Sequence, residues 1–338
     1  MVKSSVLLII FNRPEKVKSV MEAIARYQPE RLFIAADGPR SDNHEDTIKC
    51  EEARKIALES VTWKCNIKTR FMGKNLGCGH NPAEAITWFF EHVSEGIIIE
   101  DDVIPSLSFF TFCAELLEKY RYDEQIYVIG GLNFQEQKRG RASYYFSVYG
   151  HVSALATWKR AWDKFDYYLK SIDPVIYYKQ LGKYFPNKIQ RDYWFNIFML
   201  HKANPVKDVW DYQWTAIQWY NNAINIIPNV NLVKNIGYDL EGTHTKHSIV
   251  GISNMPLHEI GKIKHPLFKK INRKADDFTF NKVFHNFDKF KKKESFPNRV
   301  KHQLKILLSI IKVLPFLFPE KERELKKINL NKEQNILE

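Results

Sequence analysis

The chain has 338 residues, of which 51 are Lys or Arg and 39 are Asp or Glu, and it is 44% hydrophobic, 14% aromatic and 27% charged. That is the composition of a folded protein with length enough for a sizeable core, and it excludes a disordered, collagen-like or disulfide-scaffold chain. The formal charge of +12 is unevenly placed: residues 1–261 hold 31 basic and 30 acidic residues, whereas residues 262–330 hold 19 basic and 7 acidic ones.

A nucleic-acid binder carries its charge on the folded domain, so a neutral body with a basic appendage argues against a nucleic-acid partner. Cys50, Cys65, Cys78 and Cys113 form no CxxC pair, the usage of a reducing compartment. The first apolar run, Val6 to Phe11, lacks a cleavage pattern, and no run reaches the roughly 20 apolar residues that span a bilayer. A cytoplasmic location is expected.

In chain order, the β-branched run Ser5–Phe11 predicts a buried strand, ended by Arg13-Pro14, and Val17, Val20, Ala23 and Ile24 give Glu15–Tyr27 a helical spacing. Arg31–Ala36 predicts a second strand, stopped by Asp37-Gly38; Glu45–Ser60 a helix; Asn66–Phe71 a third strand; Asn81–Val93 a helix. Gly96–Ile99 predicts a fourth strand that runs into Glu100-Asp101-Asp102. Strands alternating with helices at this spacing argue for βαβ units and a parallel sheet. The second half is rich in Trp, Tyr and Asn, with short apolar runs at Tyr127–Ile129 and Ile224–Pro228 and helices expected over Lys159–Leu169 and Asp192–His201. Residues 1–260 read as one α/β domain and residues 261–338 as a basic extension.

Ligands of such sheets bind beyond the carboxyl ends of the strands, so the polar residues there carry the interest. Glu100, Asp101 and Asp102 repel one another, and oxygen ligands of this kind suit Mg²⁺ or Mn²⁺; a solvated loop is the alternative. Asp37-Gly38 fits a ribose or base contact or a plain turn. Asn12-Arg13-Pro14 is equally two-sided, although Arg13 can reach a phosphate. Lys74–Gly79 places two glycines before a helix N-terminus, which favours an anion. Neither GxGxxG nor a Walker A motif is present. Asp211, in Trp210-Asp211-Tyr212-Gln213-Trp214, is a carboxylate among aromatics, suited to general-base work, with the rings of Trp210, Tyr212 and Trp214 suited to a sugar. A helix-start Asp beside core aromatics is the alternative there.

Taken together, LIIFNRP (Leu8–Pro14), AADGPR (Ala35–Arg40), NLG (Asn75–Gly77), IIIEDD (Ile97–Asp102), ATWKRAW (Ala156–Trp162), WDYQW (Trp210–Trp214) and the segment Ile226–Thr245 resemble GT-A-fold glycosyltransferases, in particular bacterial proteins similar to the N-acetylglucosaminyltransferase I family. The resemblance spans roughly residues 4–250. It implies a GT-A, Rossmann-like mixed sheet flanked by helices and transfer, with inversion, from a nucleotide-diphosphate sugar, UDP-linked, to a glycan hydroxyl in surface polysaccharide synthesis. It further implies that Asp102 binds Mn²⁺ or Mg²⁺ directly and that Glu100 and Asp101 contact the ribose or metal-bound waters. Asp37 would hold the base, with Phe11, Asn12, Arg13, Gly38, Asn75 and Gly77 around the nucleotide sugar. His244 would stand near the metal, with His247 as fallback, and Asp211 would be the base. His151–Leu155 departs from the aromatic-Gly-aromatic run that usually precedes the ATW segment in such relatives, which bears on the acceptor.

A sugar-nucleotide nucleotidyltransferase is the enzyme rival, and a non-catalytic sugar-binding or membrane scaffold the rival from another class. In the extension, Lys289–Lys293 carries four lysines, and Lys301, Lys305, Ser309 and Lys312 form one polar stripe beside the apolar Leu304–Phe318. That pattern fits a helix lying in the interface of an anionic membrane, at its inner face, with a lipid-linked glycan as acceptor, or a helix docked on the protein itself.

Overall fold

The computed structural model describes residues 3–203, 208–237 and 255–285. His244, His247, Lys289–Lys293 and Leu304–Phe318 lie outside the described residues. Two compact units divide the chain: the larger runs to Tyr167 and resumes at Asp208, and the smaller begins at Tyr168.

The larger unit opens with β1 (Val6–Ile10), α1 (Pro14–Tyr27), β2 (Arg31–Ala36), α2 (His44–Glu59), β3 (Asn66–Phe71), α3 (Gly77–Phe90) and β4 (Glu95–Glu100). There follow β5 (Val103–Pro105), α4 (Leu107–Lys119), β6 (Ile126–Gly130), β7 (Tyr144–Ser147), β8 (Ala154–Trp158) and α5 (Lys159–Trp162). In the smaller unit, α6 (Pro174–Tyr184) and α7 (Lys188–Ala203) pack as a helix pair. The larger unit resumes with α8 (Asp211–Tyr220), β9 (Ile224–Pro228), β10 (Val233–Asn235) and α9 (Arg273–Thr279).

Eight strands form one mixed sheet in the order β3-β2-β1-β4-β8-β6-β9-β7, flanked by helices, the α/β class expected. β1 pairs in parallel with β2 and β4, β8 runs antiparallel between β4 and β6, and β9 pairs parallel with β6 and antiparallel with β7. All five residues of β1 are buried, as a strand covered on both faces requires. The edge strand β3 has no buried residue. In α1, Val17, Val20, Met21 and Ile24 are buried at helical spacing and Pro14 occupies the first turn, where its missing N–H costs nothing.

The expected boundary at residue 260 falls inside the larger unit. Ser143 N donates to the Lys264 carbonyl at 2.7 Å, and Asn272 N donates to that of Phe146 at 2.8 Å. Asp276 of α9 is buried and accepts from Ser147 Oγ at 2.6 Å and Val148 N at 3.2 Å. The helix expected over Lys159–Leu169 stops at Trp162, because the chain turns to stack Phe165 on the Trp162 ring, centroids 4.3 Å apart. The helix expected from Asn81 begins earlier, at Gly77, with Pro82 inside it.

Candidate active site at the sheet switch point

From β1 the chain moves outward to β2 and β3, then returns to place β4 on the other side of β1. The strand order reverses between β1 and β4, and ligands of open α/β sheets bind in the crevice at such a point. The residues leaving these two strands are Phe11-Asn12-Arg13 and Glu100-Asp101-Asp102.

Arg13, held in an extended conformation by the following proline (φ −122°, ψ 71°), ties the two strand ends together. Its guanidinium lies 2.9 Å from Asp101 Oδ1 and 2.9 Å from Asp102 Oδ2. Asp101 also accepts from Phe11 N at 3.0 Å and is buried. Both of its oxygens are engaged in joining β1 to β4. Glu100, half-buried, is pushed well above the usual carboxylate range, first by burial and then by the charges of Asp102, Asp101 and Asp211. Asp101 is raised for the same first reason, against the pull of Arg13. The backbone beside Asp102 is fixed by β10, which pairs with β5 and brings Ile236 N to the Asp102 carbonyl at 2.7 Å. A Cβ at Gly237 would come within 2.1 Å of Asp102 Oδ2, so a side chain there would displace the Asp102 carboxylate.

The end of β2 is organised differently. Asp37 is buried and accepts from the backbone N–H of Gly38, Leu76 and Gly77 at 2.8 to 3.0 Å, and from Asn75 Nδ2 at 3.1 Å. Burial raises its pKa and these N–H donors oppose the rise. Asp37 and Asn75 therefore fasten the loop before α3 to the sheet, where a base contact was expected. Gly38 lies against Lys74, whose backbone a Cβ would meet at 2.5 Å. The N-terminus of α3, where the two glycines suggested a phosphate, accepts a carboxylate of the chain itself. Asp208, 130 residues away in sequence, takes the N–H of Cys78 at 2.7 Å and of Gly79 at 2.6 Å. Side chains at residues 77 or 79 would strike that carboxylate, and Gly77 has φ +88°. Leu76 supplies no side-chain cap, so Asp208 is the cap that the local sequence lacks.

Two residues that sequence reasoning missed shape the β1 end. Asp46, buried in the first turn of α2, accepts from Asn12 Nδ2 at 2.7 Å and from Arg40 Nε at 2.5 Å. The Arg40 bond holds its carboxyl below the usual range. The Arg40 guanidinium in turn lies 5.7 Å from the Phe11 ring centre. The available signal was Asn43, the N-cap of α2, which marks Asp46 as a first-turn acid.

Asp211 is the first residue of α8, the helix-start position of its structural alternative, and it also contributes to the negative field at Glu100. Its aromatic neighbours do not all face outward. Trp214 is fully buried, stacked on Tyr127 at 5.8 Å and packed against Trp162 at 5.1 Å, and Trp210 is buried beside Trp162. Those two rings are packed into the core, and Tyr212 is half-buried. Among the described residues no three His, Cys, Asp or Glu side chains converge as metal ligands.

No protein-family model and no curated protein sequence matches the chain. Several solved structures align with part of it. A UDP-glucose pyrophosphorylase complexed with UDP-glucose aligns over 68% of this chain and 90% of its own, at 10% identity and a TM-score of 0.34. The glycosyltransferase GlyE of Streptococcus pneumoniae TIGR4 aligns over 84% of this chain and 61% of its own, at 11% identity and a TM-score of 0.33. HddC from Yersinia pseudotuberculosis aligns over 48% and 80%, at 10% identity and a TM-score of 0.30. Overlap at this level carries nothing about activity.

Proposed function

We propose that this chain is a glycosyltransferase that moves a sugar from a nucleotide-diphosphate sugar, UDP-linked, to a hydroxyl of a glycan acceptor, with inversion. The observation that carries the reading is the set of charged residues at the switch point: Arg13 pairs with Asp101 and Asp102, and Glu100 beside them is raised first by burial and then by the charges of Asp102, Asp101 and Asp211. Carboxylates crowded in this way favour a cation in their midst.

Asp102, with Glu100 behind it, fits a divalent cation that is completed by substrate phosphates, the usual manner of Mg²⁺, where one or two carboxylates suffice. Bound there, Mn²⁺ or Mg²⁺ would neutralise the charge that develops on the leaving diphosphate. Arg13 would orient the phosphates, and Asn12 and Phe11 would line the nucleotide side. Asp211 would take the proton of the acceptor hydroxyl as it attacks. Tyr212 is the one ring of its motif left to flank an acceptor.

A second reading, a nucleotidyltransferase that makes the activated sugar, draws support from Arg13, a cation directly after β1, although FNRP lacks a glycine-rich loop. The roles of a lipid-linked glycan, of surface polysaccharide synthesis and of an inner-membrane location belong to this proposal as well, as does the membrane helix read in residues 304–318.

The test is a thermal-shift screen of nucleotide sugars with and without Mn²⁺, followed by product assay. A Mn²⁺-dependent shift by one UDP-sugar, with free UDP released in the presence of a glycan, supports sugar transfer. Release of pyrophosphate from a nucleoside triphosphate plus a sugar phosphate would replace it with the second reading. Stabilisation by none of these would remove both.

A further inference from the structure

Away from the switch point, the edge strand β7 is bordered by residues 264–272, which are fastened to it at two places. Lys264 N donates to Ser143 Oγ at 2.9 Å, and eight residues on, Asn272 N donates to the Phe146 carbonyl, beside a bridge between Phe146 and Ile271. Between these ties the chain leaves the strand and borders an open cavity of about 490 Å³ lined in part by Tyr144, Tyr145 and Phe146.

The rim of this cavity is cationic. Arg141, Lys264 and Lys270 line it, and among the described residues no Asp or Glu lines it and no acidic side chain pairs with any of the three. Neighbouring groups hold the loop in shape: Lys269 pairs with Asp123 at 2.7 Å, and His265 bonds the Tyr144 hydroxyl at 3.0 Å and lies 3.3 Å from Glu115. At the outer turn stand Leu267 and Phe268, 93% and 79% exposed. Two large apolar side chains held clear of the core, inside a collar of unneutralised lysine and arginine, match a surface that is anionic outside and apolar beneath.

We propose that the loop 264–270 docks the protein on an anionic membrane. Leu267 and Phe268 enter the interfacial layer, and lipid phosphates sit at the cavity rim against Arg141, Lys264 and Lys270. This surface is separate from the switch point and stands whether or not the glycosyltransferase reading does.

The experiment is sedimentation of the full-length protein with vesicles of phosphatidylcholine alone and of phosphatidylcholine mixed with phosphatidylglycerol. Binding to the mixed vesicles, weakening as salt screens the charges, is expected, with little binding to the neutral ones. The pair Leu267→Ser with Phe268→Ser, and separately the triple Arg141→Glu, Lys264→Glu and Lys270→Glu, each lower the partition coefficient by about tenfold or more, with melting temperatures held. A control triple of equal charge at exposed positions elsewhere, Lys18→Glu, Lys64→Glu and Lys68→Glu, leaves binding within about twofold of wild type if the site is local. Loop variants that partition as the wild type does would overturn the proposal and assign binding to other segments. A wild type that ignores both vesicles would overturn it too, and saturable binding of inorganic phosphate in that case would give the cavity to a soluble anion.

Discussion

Two groups of carboxylates stand beyond the ends of β2 and β4, the strands on either side of β1, and they differ in what answers their charge. After β2, Asp37 receives three backbone N–H groups and an amide, and at the start of α3 Asp208 receives two. After β4, Asp101 and Asp102 share the single guanidinium of Arg13, while Glu100 and Asp211 add their charges to the same space. Backbone donors oriented by the fold make a carboxylate part of the architecture, because they satisfy it without any ligand. Carboxylates that face one another store repulsion that an incoming cation or proton relieves. The contrast separates carboxylates satisfied by backbone donors from those answered by one guanidinium.

The largest expected effect is on turnover. Asp211→Asn keeps the shape of the side chain and removes the base, so turnover should fall by roughly 10² to 10⁴ with donor affinity unchanged. Near-wild-type rates in this variant would move Asp211 to the architectural side, with Asp239 or Glu241, outside the described residues, next to be tried.

Asp102→Asn comes next. Calorimetry with the nucleotide sugar and Mn²⁺ should show affinity reduced by at least about 10²-fold, beyond the 10 to 100-fold typical of outer-shell partners of a metal. An Asp102→Asn protein that binds the donor as tightly as wild type removes Asp102 from metal duty.

Asp208→Ala probes the other side of the contrast. It leaves the N–H groups of Cys78 and Gly79 without their carboxylate, and the loss should be one of stability, about 1 to 3 kcal/mol by denaturant titration. Donor affinity in the folded variant should hold. A large loss of affinity with stability intact would show that an internally satisfied carboxylate also serves the ligand, and the contrast would fail.

The last prediction concerns a buried acid outside both groups. Burial pushes Asp276 up to about 7 despite its bonds from Ser147 and Val148. Its carboxyl then loses its proton in the unfolded chain near pH 4 and in the folded chain near pH 7, so the folded state binds more protons between these values. Stability should decline as pH rises through that window, with a slope reaching about 1.4 kcal/mol per pH unit at most. Asp276→Asn, its amide donating to Ser147 Oγ and accepting from Val148 N, should flatten the decline. An unchanged slope would place the titration elsewhere.

The first half of the fold was legible in the sequence because β1, β2 and β4 are short apolar runs closed by polar or turn residues and β3 is an alternating edge strand between helical segments. β2 and β3 have the predicted bounds, and β1 and β4 differ by a residue or so at their ends. α4 and α6 passed unread, although Ser106 caps the first through Phe109 N and Asp173 the second through Ile176 N, because aromatic runs blur helical spacing. Trp210 and Trp214 read as sugar platforms, since a chain pattern does not tell an aromatic packed against Trp162 from one that faces solvent.

What the sequence alone determined was which polar residues follow which strands, since hydrophobic runs and turn residues act over a few neighbours. The tertiary structure decided their partners: that Arg13 bridges Asp101 and Asp102 across some 90 residues, that Asp208 fills the anion position of α3, and that residues 264–272 border the sheet edge. Those choices depend on strand order and on burial, which are settled by the packing of the whole chain, and a charge gains or loses its answering group only once that packing is in place.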